Sequence, residues 1–278
     1  MTAAIEIINK TRFNFGANWE EFYAWIDEQR IDVARESLQD LFPGQDFAGK
    51  RFVDVGCGSG LFSLAAQRLD ADVYSFDYDA VSVACTEQLK EQFGRPERWQ
   101  IERGSVLDEN FINSLGEFDL VYSWGVLHHT GHMYRAIESA MQLVKPGGLI
   151  CVALYNDQGP RSKTWLKIKR LYNELPEVLR PALIGICWLR LWGPTHLRDL
   201  LRFKPMETWR EYMNNSVRGM SPWHDLVDWV GGLPFEVAKP EEVIEFFKAR
   251  EFTLEKLTTC AGGHGCNQYV FSRQDRGA

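Results

Sequence analysis

Val53-Asp54-Val55-Gly56-Cys57-Gly58-Ser59-Gly60 is the stretch that decides the fold of this chain. An apolar run leads into three glycines at alternate positions, and a helical pattern starts directly behind them. A strand therefore ends in a tight loop that opens a helix. Glycine in such a loop lets backbone approach a ligand closely. The GxGxG spacing lacks the later glycine with which a dinucleotide loop seats a pyrophosphate on the helix N-terminus. Asp77 ends the next strand, where a carboxylate can accept both hydroxyls of a ribose. A strand-to-helix turn that merely needs small residues explains the glycines but not this acid, so the pair points to a nucleoside-bearing ligand.

Outward from the loop, short β-rich runs alternate with helical patterns. Candidate strands are 51–55, 72–76, 99–103, 118–124 and 148–156, with helical stretches near 59–69, 80–93 and 132–143. Each connection is long enough for a crossover, which predicts a parallel sheet. Lys145-Pro146-Gly147-Gly148 reads as the turn into the fifth strand. After Asp157 the pattern turns helical, is broken by prolines and carries six of the ten tryptophans. A helix opening at Lys239-Pro240 and two runs, FTLEKLTT and NQYVFS, then look like the closing helix and strand pair. Near the start, Trp19, Phe22, Tyr23 and Ile26 share one face of a helix that must pack on something.

Five landmarks in order, VDVGCGSG, SFDYD, GSVLD at 104–108, FDLVYSWGVLHHT at 118–130 and the KPGG turn, resemble the class I S-adenosylmethionine-dependent methyltransferases. The likeness covers about 46–156 and 238–273. It implies an α/β fold: a Rossmann-like, seven-stranded, mostly parallel sheet with an antiparallel last strand. The core would be 46–156 with 238–278, residues 1–45 an N-terminal helical lid, and 157–237 a helical insertion capping the substrate side. Carried over by position, Asp54, Gly56, Cys57, Gly58 and Gly60 form the cofactor loop and Asp77 with Tyr78 faces the ribose. Ser105 and Val106 border the adenine, while Trp124 and Gly125 line the methionine side. Ser105 departs from the family pattern, where an acid often holds the adenine amino group; either the serine substitutes weakly or Asp108 helps.

Ligands of parallel sheets lie over the carboxyl ends of the strands, which selects His129 after the fourth strand and Tyr155 and Asn156 after the fifth as catalytic candidates. A sulfonium methyl is already an activated electrophile, so the protein chiefly aligns a nucleophile and takes its proton; histidine suits that near neutral pH. Each of these residues also has an ordinary structural reading as a helix cap or strand end. His128, His132 and His224 follow no metal-ligand spacing, and no metal site is expected. His264 lies in a glycine-rich link that reads as a plain hairpin connection.

The 278 residues carry 45% hydrophobic and 25% charged side chains, enough for a sizeable core. A net charge of −7 disfavours nucleic acid as a partner. No run reaches the length of a membrane span, no secretory signal opens the chain, and six cysteines without CxxC spacing read as reduced thiols, so the expected location is cytoplasmic. Against the overall charge, residues 157–204 hold ten Lys and Arg and four acids. That local excess suits an acidic or carrier-bound small-molecule substrate, or an anionic membrane surface. The expected activity is methyl transfer from S-adenosylmethionine to an O, N or S nucleophile of a small molecule. The alternative is another use of the sulfonium, such as intramolecular cyclisation releasing methylthioadenosine. The oligomeric state stays open.

Overall fold

The structure, a computed structural model, describes Phe13, residues 26–215 and residues 222–275. Its strands are β1 (Arg51–Val55), β2 (Asp72–Asp77), β3 (Trp99–Arg103), β4 (Phe118–Trp124), β5 (Val144–Tyr155), β6 (Phe252–Thr258) and β7 (Cys266–Arg273). They form one sheet in the order β3-β2-β1-β4-β5-β7-β6. The first five are parallel, and β7 runs antiparallel to both β5 and β6. This is the expected Rossmann-like sheet with an antiparallel last strand. The order reverses between β1 and β4, and such a switch point leaves a crevice at the carboxyl ends.

Helices follow in chain order as α1 (Glu28–Leu41), α2 (Leu61–Arg68), α3 (Ala80–Phe93), α4 (Glu109–Leu115), α5 (Met133–Gln142), α6 (Pro160–Glu174), α7 (Arg180–Leu201), α8 (Glu207–Asn215), α9 (Pro222–Gly231) and α10 (Pro240–Lys248). One apolar layer joins Leu38 of α1, Leu64 of α2 and Leu89 of α3 to Phe52, Val73 and Tyr122 of the sheet. The other joins Ile112 of α4, Ile137 of α5 and Phe247 of α10 to Val53, Val121 and Phe271. Each large side chain buried this way contributes roughly 1.5–3 kcal/mol. Alternation along each strand feeds both layers, since successive side chains leave opposite faces.

Two local expectations are corrected. The KPGG segment lies within β5: Val144 already pairs with Phe118, and the register shifts between Phe118 and Leu120. Gly147 takes φ +73° there, and a Cβ on Gly148 would stand 3.0 Å from the Asp119 carbonyl, so the glycines serve a bulge in the strand. Residues 1–45, expected as a lid, include α1, which packs on a sheet face. Its start is capped by Asp27, whose carboxylate accepts the Arg30 amide at 2.9 Å. Of the four residues expected on an N-terminal helix face, Ile26 packs into the α1 layer; Trp19, Phe22 and Tyr23 lie outside the described residues.

The insertion has its own core, in which Trp165 and Tyr172 of α6 meet Ile184 and Cys187 of α7 and Leu226 and Val230 of α9. Asp199 ties α7 to α8 by accepting the Thr208 amide and hydroxyl, both at 2.9 Å. Phe13 docks here as well, its amide donating to the Leu233 carbonyl at 3.2 Å and its ring packing 6.3 Å from that of Tyr172.

Candidate active site

The glycine loop between β1 and α2 is held from below and from the side. The amides of Gly56 and Cys57 donate to the Phe76 carbonyl at 2.8 and 3.1 Å. Asp77 accepts the Gly58 amide at 3.1 Å on one carboxylate oxygen and the Asp79 amide at 2.9 Å on the other. Asp77 thus fixes the loop and borders the cavity above it. Gly56 has φ +81°, and a Cβ there would fall 2.4 Å from a Val126 methyl. Gly56→Ala is therefore expected to lower Tm by about 2–8 °C, from about 1–2 kcal/mol of left-handed strain before the clash is counted, and to weaken S-adenosylmethionine binding. A melting curve and a calorimetric titration matching the parent would show the space is not needed.

Behind the loop a buried chain of hydrogen bonds crosses three strands. Trp99 Nε1 donates to Ser75 Oγ at 2.8 Å, Ser75 to Ser63 at 2.7 Å, and Ser63 to Asp54 Oδ2 at 2.6 Å. The indole is only a donor, so the direction is set and ends on the carboxylate. Burial lifts the Asp54 carboxyl to about 7, the Ser63 bond opposing and the Asp77 charge adding. Burial and then the two carboxylates hold the Cys57 thiol well above its ordinary value. Cys57 Sγ lies 3.3 Å from the Thr86 hydroxyl, which donates to the Gly58 carbonyl at 3.2 Å.

A cavity of about 910 Å³ opens over this loop. It is bordered by Asp54, Gly56, Cys57, Gly58, Asp77, Tyr78, Ser105, Val106, Trp124 and Gly125, together with His129 and Tyr155. Gly60 and Asn156 stand apart from its lining. A Cβ on Gly60 would lie 2.8 Å from the Thr86 side chain, so this glycine lets the loop sit on α3. Asn156 accepts from Asn267 Nδ2 at 3.0 Å, which joins the end of β5 to β7. Asp108 caps α4, accepting the Asn110 and Phe111 amides at 3.0 and 3.2 Å, and does not border the cavity, whereas Ser105 does.

His129 ends a short 3-10 turn, Leu127–His129, after β4. Its Nδ1 lies 2.6 Å from the Pro234 carbonyl. That oxygen can only accept, so Nδ1 carries the hydrogen, and in the neutral form of the ring Nε2 carries the lone pair. The strap Pro234-Phe235-Glu236 grips the same turn once more and also the start of α5: the Glu236 amide donates to the His128 carbonyl at 3.0 Å, and its carboxylate accepts the Met133 amide at 3.0 Å. Tyr155 lies edge-on to His129 at 5.3 Å and to Trp229 at 5.1 Å. His128 packs 3.9 Å from the Tyr155 ring, fully buried. Burial, then the nearby His129 and Lys169 charges, hold its pKa well below the ordinary value, so it stays neutral.

Lys169 of α6 is buried against this cluster, with its Nζ 4.8 Å from the Phe235 ring centre and 5.2 Å from that of Trp229, and donates to the Trp229 carbonyl. Burial lowers its pKa to about 7, against the opposing charge of Asp228. Between about pH 7 and 10 the unfolded chain then holds a proton that the folded chain has released. Stability should accordingly rise with pH through that window, by up to about 1.4 kcal/mol per pH unit, and level off on either side of it. Denaturant melts of the parent and Lys169→Met should diverge with that sign; parallel curves would show that the ammonium stays charged when folded.

The sequence marks 157–237 as a cap without naming which of its residues line the cavity. Leu191, Trp192, Tyr212, Asp225, Asp228 and Trp229 border it, and Asp225 accepts the Tyr212 hydroxyl at 2.7 Å. None of the ten basic residues of 157–204 does. His264, expected in a plain hairpin link, also borders it, its ring 5.3 Å from Trp229. Trp223 is largely exposed, and neither it nor His224 reaches the lining. Among the described residues no group of three or more His, Cys, Asp or Glu side chains is arranged to hold a metal ion.

A family model described as a methyltransferase domain matches residues 26–215. The ubiquinone biosynthesis O-methyltransferase of Cereibacter sphaeroides is 28% identical over 180 residues, 64% of this chain and 63% of that protein, so under two thirds of the relative is spanned. Its namesake in Ruegeria pomeroyi is 28% identical over 183 residues, 66% and 70% of the two chains. Among solved structures, a magnesium protoporphyrin IX methyltransferase from Synechocystis with bound SAH superposes with TM-score 0.56 at 12% identity, covering 98% of this chain and 100% of that one. An O-methyltransferase family protein from Burkholderia thailandensis gives 0.54 at 11%, covering 88% and 57%. At such identities the structural likeness speaks for the fold alone.

Proposed function

The chain belongs to the methyltransferase-domain family, in the class I S-adenosylmethionine-dependent fold, and from that premise we propose that it methylates a hydroxyl oxygen on a small aromatic molecule. The bound cofactor supplies an activated methyl group. The glycine loop and Asp77 fit it: the loop that Asp77 anchors and the Asp77 carboxylate border one cavity. Asp77 would hold the ribose, Ser105 and Val106 the adenine edge, and Trp124 with Gly125 the amino-acid end. His129 Nε2 would take the proton of the acceptor hydroxyl as the oxygen attacks, and Tyr155 would orient that oxygen. Trp192, Leu226 and Trp229 would sandwich the acceptor ring and exclude water.

The observation that carries this reading is the anchored His129: a ring held by the Pro234 carbonyl through Nδ1, its basic nitrogen on the opposite edge, in a cavity shared by the glycine loop and an aromatic insertion. A phenol needs a base more than a thiol does, and the O-methyltransferase relatives support oxygen as the acceptor. With Asp225 and Asp228 on the wall and no base of 157–204 beside them, an uncharged polar acceptor suits the cavity better than the acidic one expected from the insertion's charge. Segment 157–237 acts in this reading as the cap.

The test is a panel of phenols, catechols, amines and thiols incubated with methyl-labelled S-adenosylmethionine, with products resolved by mass spectrometry. Label in aryl methyl ethers is expected. Label confined to amines or thiols would overturn the hydroxyl assignment.

A further inference from the structure

The outer face of α7 is apolar and uncovered. Ala182, Ile186, Leu189, Leu197 and Leu200 recur at helical spacing along one stripe, and the four large ones are 58 to 65% exposed. Leu201 at the end of α7 and Phe203 just beyond it extend the stripe, Phe203 at 93% exposure. Every exposed charge from Pro181 to Arg202 is positive: Arg190, Arg198 and Arg202, while Lys204 beyond them pairs with Glu207 at 2.6 Å. The one acid of that span, Asp199, is turned inward onto Thr208. A chain of net charge −7 thus presents one basic, aliphatic ridge.

We propose that this ridge docks the protein on an anionic lipid bilayer, the helix lying along the headgroup boundary. The argument is charge together with shape. Large apolar side chains beside arginines suit an interface in which the chains enter the acyl boundary and the cations stay among phosphates. A second copy presenting the same ridge would set like charges against one another. Among the described residues no helix is long and apolar enough to cross a membrane, so the helix lies on the surface. Ile186 and Arg190 of this face also border a side cavity of about 430 Å³, which they form with Arg161 and Trp165 of α6 and with His264. His264 borders the main cavity too, so docking would set the side cavity, a neighbour of the main one, at the lipid boundary. This inference rests on the helix surface and holds whichever atom is methylated.

The test is co-sedimentation of the full chain with vesicles of phosphatidylcholine alone and of phosphatidylcholine with phosphatidylglycerol. Binding to the anionic vesicles, weakened by salt, is expected, with the neutral vesicles at least tenfold poorer. Leu189→Glu with Leu197→Glu and Leu200→Glu should abolish it. Arg190→Gln with Arg198→Gln and Arg202→Gln should weaken it on the order of 10²-fold. Circular dichroism and S-adenosylmethionine affinity of both variants should match the parent, which separates lost docking from lost folding. No binding to anionic vesicles, equal binding to neutral ones, or unchanged binding by the folded glutamate variant would overturn the proposal. So would a dimer in analytical ultracentrifugation that the glutamate substitutions dissolve, since a second copy would then cover the ridge.

Discussion

Asp77→Ala is expected to weaken S-adenosylmethionine binding by on the order of 10²–10⁴ while leaving a folded protein. In the proposed role, charge-assisted hydrogen bonds to two ribose hydroxyls would contribute about 1.5–3 kcal/mol each. Asp77 also accepts the Gly58 and Asp79 amides, so the substitution releases the loop as well as the ligand. Asp77→Asn separates the two effects. The amide keeps one acceptor oxygen and loses the charge, so its affinity should fall between those of the parent and the alanine variant. Calorimetry on both variants reads this order directly. A dissociation constant unchanged in folded Asp77→Ala would remove the carboxylate from the cofactor site.

His129→Ala should lower turnover by on the order of 10²–10⁴, the range for loss of a positioned general base. Cofactor affinity should stay near that of the parent, because the glycine loop and Asp77 do not depend on the imidazole. The Pro234 carbonyl loses its donor in this variant, so some stability is lost too, and Tm must be followed alongside kcat. Methyl acceptors of lower pKa, which need less help in shedding the proton, should recover part of the lost rate. A loss confined to Tm, with kcat intact, would assign His129 to holding the strap around Pro234. Tyr155→Phe should raise KM or lower kcat by a smaller factor, as expected of a group that orients the oxygen.

The sheet was legible because its signals are local. The glycine loop, the acid ending β2 and the β-rich runs before and after them are each read within a few residues, and topology rules supply the order. KPGG was misread for a physical reason. Glycine and proline signal a break in regular structure, and a bulge inside a strand breaks it as effectively as a turn does. Tyr155 and Asn156 were equal candidates by position at the end of β5. Neighbouring strand residues face opposite ways, and that alternation sends Tyr155 to the cavity and Asn156 to Asn267. Which residues of the insertion line the cavity was not legible. Asp225, Asp228 and Trp192 reach the cavity through the way α6, α7 and α9 pack on one another, which no local period encodes. The signal that was present, six tryptophans in one segment, marked aromatic mass without saying which rings face inward.

The most direct measurement is the identity of the nucleoside released when the protein turns over S-adenosylmethionine with an acceptor present. Chromatography with mass detection should find S-adenosylhomocysteine, equal in amount to the methylated acceptor and lost in His129→Ala. Methylthioadenosine, formed without any methylated product, would contradict methyl transfer and turn the same cavity over to cyclisation of the cofactor's own aminobutyrate arm.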